Sequence, residues 1–192
     1  MKKILLFATI IAIGCSKKTE QPENISTQIE YKSLNDFQLD YSHSLNLDMN
    51  NDGVIDFAFA ASVIYDDVVS IEKLDFRAYT LNGSEYFNDN ITPKVFDKSE
   101  IISRGNSQNH SWTRNNAFLA TRVYTDDPAV STWDGAWKDK TNKYLAIKLK
   151  QGDKYHTGWI RMSIGGNHSR IIIHDYAYSK VADKDIKAGE VN

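Results

Sequence analysis

The chain opens on a short apolar run, Ile4 to Ile13, and then turns polar until about Glu30. From Phe37 the apolar positions alternate: Phe37, Leu39 and Tyr41, then Leu45 and Leu47. A period of two is that of a strand with one face buried. The run Ile55, Phe57, Phe59, Ala61, Val63 and Tyr65 sets a large apolar face against a small one of Ala58, Ala60 and Ser62, which predicts a core strand. Further strands are predicted over Lys73–Leu81, Lys94–Phe96, Ala117–Tyr124, Lys143–Lys150, Tyr155–Ile164 and Ser169–Tyr178, separated by Gly, Asn and Asp clusters. Asn82-Gly83 carries a hairpin signal, because a type I′ turn needs positive φ at both central residues, and Gly165-Gly166-Asn167 does similar service before the last long strand. No segment sustains a helical period, and β-branched and aromatic residues dominate the apolar runs. The predicted fold is therefore all-β: a single two-sheet antiparallel β-sandwich, jelly-roll-like, over residues 31–192. Two stretches, Asp97–Asn116 and Thr125–Asn142, approach the upper length for unstructured connections. They either hide short strands or offer a binding surface.

The first apolar run is too short to be a membrane span, which takes about 20 residues. With Lys2 and Lys3 before it and Gly14-Cys15-Ser16 after it, residues 1–14 have the charged, apolar and small-residue order of an export signal. The tetrapeptide Ala12-Ile13-Gly14-Cys15 resembles the lipobox of bacterial lipoproteins, which makes Cys15 the lipidated first residue of the mature chain. Cys15 is the only cysteine, so no disulfide can form within the chain, and a bare thiol in an oxidising compartment would be a liability. Acylation removes that thiol, and at about 0.8 kcal/mol per buried methylene it gives a lasting anchor. Residues 15–30 then form a flexible polar tether. Ser16 rather than Asp follows the Cys, which by resemblance to lipoprotein sorting rules points to the outer membrane.

Loss of residues 1–14 removes two of the 23 basic residues and none of the 25 acidic ones, leaving a formal charge of −4. The remaining lysines are scattered among acids. A nucleic-acid partner, which calls for a basic stripe or patch, is not expected.

The sharpest chemical motif is Asp48-Met49-Asn50-Asn51-Asp52-Gly53-Val54-Ile55-Asp56. Oxygen side chains at relative positions 1, 3, 5 and 9, a turn-permitting Gly at 6 and a backbone carbonyl at 7 can wrap a hard cation. Calcium is the expected occupant, in a structural role, held by Asp48, Asn50, Asp52, Val54 and Asp56. The loop is not an EF-hand, since position 12 is Phe59 and the flanks are strands. It resembles instead the calcium hairpins of integrin-type β-propeller repeats.

Catalytic motifs are not legible. There is no Gly-x-Ser-x-Gly elbow and no phosphate-cradling loop, and the five histidines, among them His174 in a predicted strand, include no His-Glu-x-x-His pair. The chain is read as a binding or accessory module, not an enzyme. Trp133 and Trp137, with Trp112, fall in the two long connections, where they either cap the ends of the sandwich core or form a glycan-stacking platform. A carbohydrate-binding surface protein and a glycan-acting hydrolase with acids from facing strands are the alternatives.

The order of several motifs resembles a widespread group of secreted bacterial β-sandwich proteins. The motifs are the acidic loop running into a strand, Lys143-Tyr144-Leu145-Ala146-Ile147, His156-Thr157-Gly158-Trp159-Ile160-Arg161-Met162-Ser163, Asp175-Tyr176-Ala177-Tyr178 and Ile186-Lys187-Ala188-Gly189-Glu190. The resemblance implies an exported sandwich and no particular reaction. Some members carry a C-terminal sorting segment; none follows the Ala-Gly-Glu here, and the lipid is expected to anchor the chain, with a glycan or an envelope protein as its further partner. Within the Gly-Trp-Ile-Arg run, Gly158 should let a neighbouring backbone approach and Arg161 should pair across strands with Asp175.

Overall fold

Strand β3 (Phe57–Asp66) shows how the apolar pattern becomes structure: Phe57 and Phe59 are fully buried, while Ala58 and Ala60 between them keep partial exposure on the other face. The computed structural model describes residues 28–66, 71–89, 92–124, 131–165 and 170–192. The expected signal peptide, Cys15 and the tether as far as residue 27 lie outside the described residues, as do Gly166 and Asn167 of the expected last turn. Strand pairing is present ahead of Tyr31, because β1 (Ile29–Leu39) already pairs at Ile29.

Among the described residues all regular structure is strand, and every pairing is antiparallel. The larger sheet runs β1, β13 (Ile171–Ser179), β12 (Lys154–Ile164), β11 (Lys140–Gln151), β5 (Glu85–Asn88) and β8 (Ser111–Thr113), with β6 (Val95–Phe96) also on β11. The smaller sheet runs β10 (Ser131–Asp134), β9 (Ala117–Tyr124), β4 (Ile71–Thr80), β3 and β2 (Leu45–Leu47). The two share one core: Phe57, Phe59, Phe76 and Leu119 from the smaller sheet meet Leu145, Ile147, Ile160, Met162 and Ile173 from the larger. Each such side chain contributes about 1.5–3 kcal/mol through the apolar surface it removes from water.

A third layer departs from the two-sheet expectation. A ribbon of β7 (Ile101–Ile102) and β14 (Ile186–Lys187) covers part of the outer face of the larger sheet, where Phe87, Phe96, Tyr144, Ala146, Trp159 and Ala177 form a second core with Ile102, Ile186 and Ala188. Under this ribbon the larger sheet is apolar on both faces, which explains the unbroken buried run Tyr144-Leu145-Ala146-Ile147 in β11. The Ala-Gly-Glu segment is the latch: Ala188 is buried, Glu190 O accepts from the Trp159 indole at 3.2 Å, and Lys187 N–H donates to the Glu190 carboxylate at 2.8 Å.

The two long connections do hide short strands, β7 and β8 in one and β10 in the other. The Asn82-Gly83 signal gives the expected turn but not the expected hairpin. Asn82 (φ 50°) and Gly83 (φ 82°) take the left-handed pair of a type I′ turn, yet both edges of β4 are occupied by β3 and β9, so the chain crosses to β5 in the other sheet. Gly158 behaves as its neighbours predicted. A Cβ there would lie 2.4 Å from Ala177 O on β13, so only glycine allows the two strands to approach this closely.

Candidate functional site

The Asp48–Asp56 loop joins β2 to β3 and is held at both ends. Asp56 N–H donates to Leu47 O at 2.8 Å, Leu81 N–H donates to Asp56 O at 2.8 Å, and buried Met49 plugs the core while its carbonyl accepts from Tyr176 Oη at 3.2 Å. Between these pins the acidic side chains organise the backbone. Asp48 accepts from the N–H groups of Asp52 (3.1 Å) and Gly53 (2.8 Å), Asp52 accepts from Val54 N–H (2.9 Å), and Asn50 bridges to Asp52 through its side-chain amide (2.8 Å). Asn51 (φ 58°) and Gly53 (φ 87°) supply the left-handed backbone that lets the chain coil in so few residues.

Asp56 stands apart from the other acids. It is fully buried, its Oδ2 accepts from Met49 N–H at 2.9 Å, and its Oδ1 is buried without a hydrogen-bond partner. Burial pushes its carboxyl up to about 6, with the charges of Asp52 and Asp48 adding to the effect and the Met49 N–H opposing it. A buried carboxylate with an orphaned oxygen beside two further acids is the kind of site that a hard cation relieves. Among the described residues, no three His, Cys, Asp or Glu side chains already converge into a ligand cage. The Asp48 and Asp52 carboxylates instead hold backbone N–H groups. Binding an ion through them would exchange part of that hydrogen bonding for oxygen–metal contacts.

The three tryptophans do not share a surface. Trp137 is fully buried in the core with its indole N–H donating to Pro93 O at 2.9 Å, so it shows no face to a sugar. Trp133 is half-buried over Phe76 (ring centroids 5.5 Å apart) and under the Arg122 guanidinium (5.4 Å). Trp112 packs on Phe87 at 5.0 Å and carries Lys148 Nζ 4.6 Å from its ring. The expected Trp133–Trp137 platform does not form, because the large indole of Trp137 buries more area in the core than in a loop.

A polar chain runs across the outer face of the larger sheet. Arg161 grips Asp175 with two parallel bonds (Nε to Oδ1 2.8 Å, Nη2 to Oδ2 2.6 Å), and Tyr31 donates to the same carboxylate at 3.0 Å. Arg161 also donates to Asn142 Oδ1 (3.0 Å), and Asn142 N–H donates to Ser163 Oγ (2.9 Å). His174 bonds Ser163 through one ring nitrogen and Asp36 through the other. The Arg161–Asp175 pair is the one the sequence predicts. Ser163, His174, Asp36 and Asn142 escape the sequence because strand irregularities bring them together: β1 between Ser33 and Phe37, β11 between Lys140 and Lys143, and an extra residue, His174, in β13 opposite Arg161 and Met162. The only local signal is polarity at alternate positions of β12 and β13.

No family model, curated protein or solved structure matches this chain, so its own geometry carries the functional reading.

Proposed function

We propose that the protein is an exported lipoprotein, anchored to the outer membrane through Cys15, whose β-sandwich body serves as a binding or accessory module and is stabilised by calcium in the Asp48–Asp56 loop. The observation that supports the cation is the buried, unpartnered Oδ1 of Asp56 in a loop that already holds Asp48 and Asp52. Asp48, Asn50, Asp52 and Asp56 would supply side-chain oxygens and Val54 its carbonyl. The ion's role is structural: it neutralises a run of acids at the entry to core strand β3 and fixes the turn from β2 into β3. The support for the anchor is the order of residues 1–16, from Lys2-Lys3 through the apolar run to Gly14-Cys15-Ser16.

Both parts are tested on the full chain. Millimolar calcium should raise the melting temperature, by about 2–4 °C for each kcal/mol gained, and the rise should vanish in Asp56→Asn. An unchanged melting curve and no heat in isothermal titration would defeat the calcium reading. Cys15→Ser should abolish labelling by a fatty-acid analogue and move the protein from the membrane to the soluble fraction. Retention of the variant in the membrane fraction would defeat the anchor reading.

A further inference from the structure

Ser163, His174 and Asp36 stand in the order of a nucleophile, a base and a group that orients the base. Ser163 Oγ lies 2.8 Å from His174 Nε2, and His174 Nδ1 lies 2.6 Å from Asp36 Oδ1. A carboxylate oxygen can only accept, so Nδ1 carries the proton toward Asp36 and Nε2 is left to accept the serine proton. The Ser163 hydroxyl therefore donates to His174, while Asn142 N–H donates to its oxygen. That backbone donor stabilises negative charge on Oγ as the proton leaves.

The placement has a conformational cost. Asn35 (φ 53°) and Asp36 (φ 55°) are consecutive non-glycine residues in the left-handed region, and this break in β1 carries Asp36 to His174 of the neighbouring strand. Asn142, which addresses Ser163, is left-handed too (φ 53°). Backbone strain of this kind persists where surrounding structure enforces it, and it concentrates at functional sites.

The serine and histidine open into a cleft of about 420 Å³ between β11, β12 and β13. Ile172 gives it apolar wall, Thr141 and Arg170 give it hydrogen-bond donors, and Asp139 adds a carboxylate to the rim. Its size falls in the lower part of the range for small-molecule pockets. A cleft of this volume has room for an acyl group of a few carbons beside Ser163. The side chain of His174 is only 13% exposed and that of Asp36 72%, so the base is sheltered while the orienting carboxylate stays hydrated.

We propose that Ser163 and His174, positioned by Asp36, hydrolyse short-chain carboxylic esters in this cleft. In the first step Ser163 Oγ bonds to the ester carbonyl carbon and its proton passes to His174 Nε2. The ester C–O bond then breaks, and the alkoxide takes that proton and leaves as the alcohol. Water attacks the acyl-serine with its proton going to Nε2, the carboxylic acid departs, and the proton returns to Ser163 Oγ. The relay is recognised by geometry, since its serine lies in a strand instead of a Gly-x-Ser-x-Gly elbow. It depends on neither calcium nor Cys15.

The purified full chain is treated with a fluorophosphonate probe, and hydrolysis of p-nitrophenyl acetate is followed in parallel. The expected result is one phosphonate adduct, mapped by peptide mass to Ser163. Ester turnover should fall at least 100-fold in Ser163→Ala and His174→Gln. In Asp36→Asn, kcat should fall about 10-fold with KM unchanged, as a positioning role requires. No adduct on the wild-type chain, an adduct elsewhere, or turnover that survives Ser163→Ala overturns the proposal and leaves the three residues as a structural hydrogen-bond chain. The adduct is read on the wild-type protein, so poor folding of a variant does not spare the proposal.

Discussion

Two side chains carry charge where the fold has removed water, and each gives a measurable signature. Asp56 is raised to about 6 from an ordinary carboxyl near 3.8. A group whose folded value is raised favours the folded state fully below its unfolded value, and the advantage is lost as pH rises through the folded value. In chelator, the wild type should therefore lose up to about 3 kcal/mol relative to Asp56→Asn between pH 4 and pH 6. Urea melts of the two proteins across that window measure the difference, and millimolar calcium should remove it. Arg161 gives a second signature. Its removal would leave Asp175, 8% exposed at its side chain, with only Tyr31 to answer its charge. Arg161→Ala should cost about 2 kcal/mol, below the range for fully buried pairs because Arg161 itself is 30% exposed, and should lower the melting temperature by about 4–8 °C. An unchanged melting temperature would show that the pair contributes nothing to stability.

At the scale of elements, the long strands were legible because their apolar residues keep one period over many positions. Ala117–Tyr124 was found at both ends, and β11 and β12 differ from expectation only at their margins. What escaped was short or irregular. Strands of two residues such as β7 and β14 hold no period to detect, and a strand irregularity is invisible without its partner strand. The Asn82-Gly83 turn was legible as a conformation but not as a connection, since pairing depends on which edges distant strands have taken. The acidic loop could be picked out as a turn into a core strand because its residues are contiguous, whereas the Ser163–His174–Asp36 chain spans 138 residues between its Asp and its His. The C-terminal ribbon offers its own prediction. Gly189 sits at φ +79°, and a Cβ there would come 2.8 Å from the Tyr144 hydroxyl. Gly189→Ala should loosen the latch without unfolding the sandwich. Hydrogen exchange at the amides of Ile102 and Ala188 should speed up at least 10-fold while that of Ile147 stays unchanged.

For the molecule as a whole, strand β13 is the feature with the widest reach. Its Tyr176 turns inward and bonds Met49 of the acidic loop, while Asp175 pairs with Arg161 and His174 meets Ser163 and Asp36 on the outer side. Neighbouring residues of one strand thus belong to two sites on opposite faces of a sheet. The two sites therefore share one stretch of backbone, His174 to Tyr176. Any free energy by which an ion in the loop changes the affinity of the cleft must then be returned in equal measure by a cleft ligand acting on the ion.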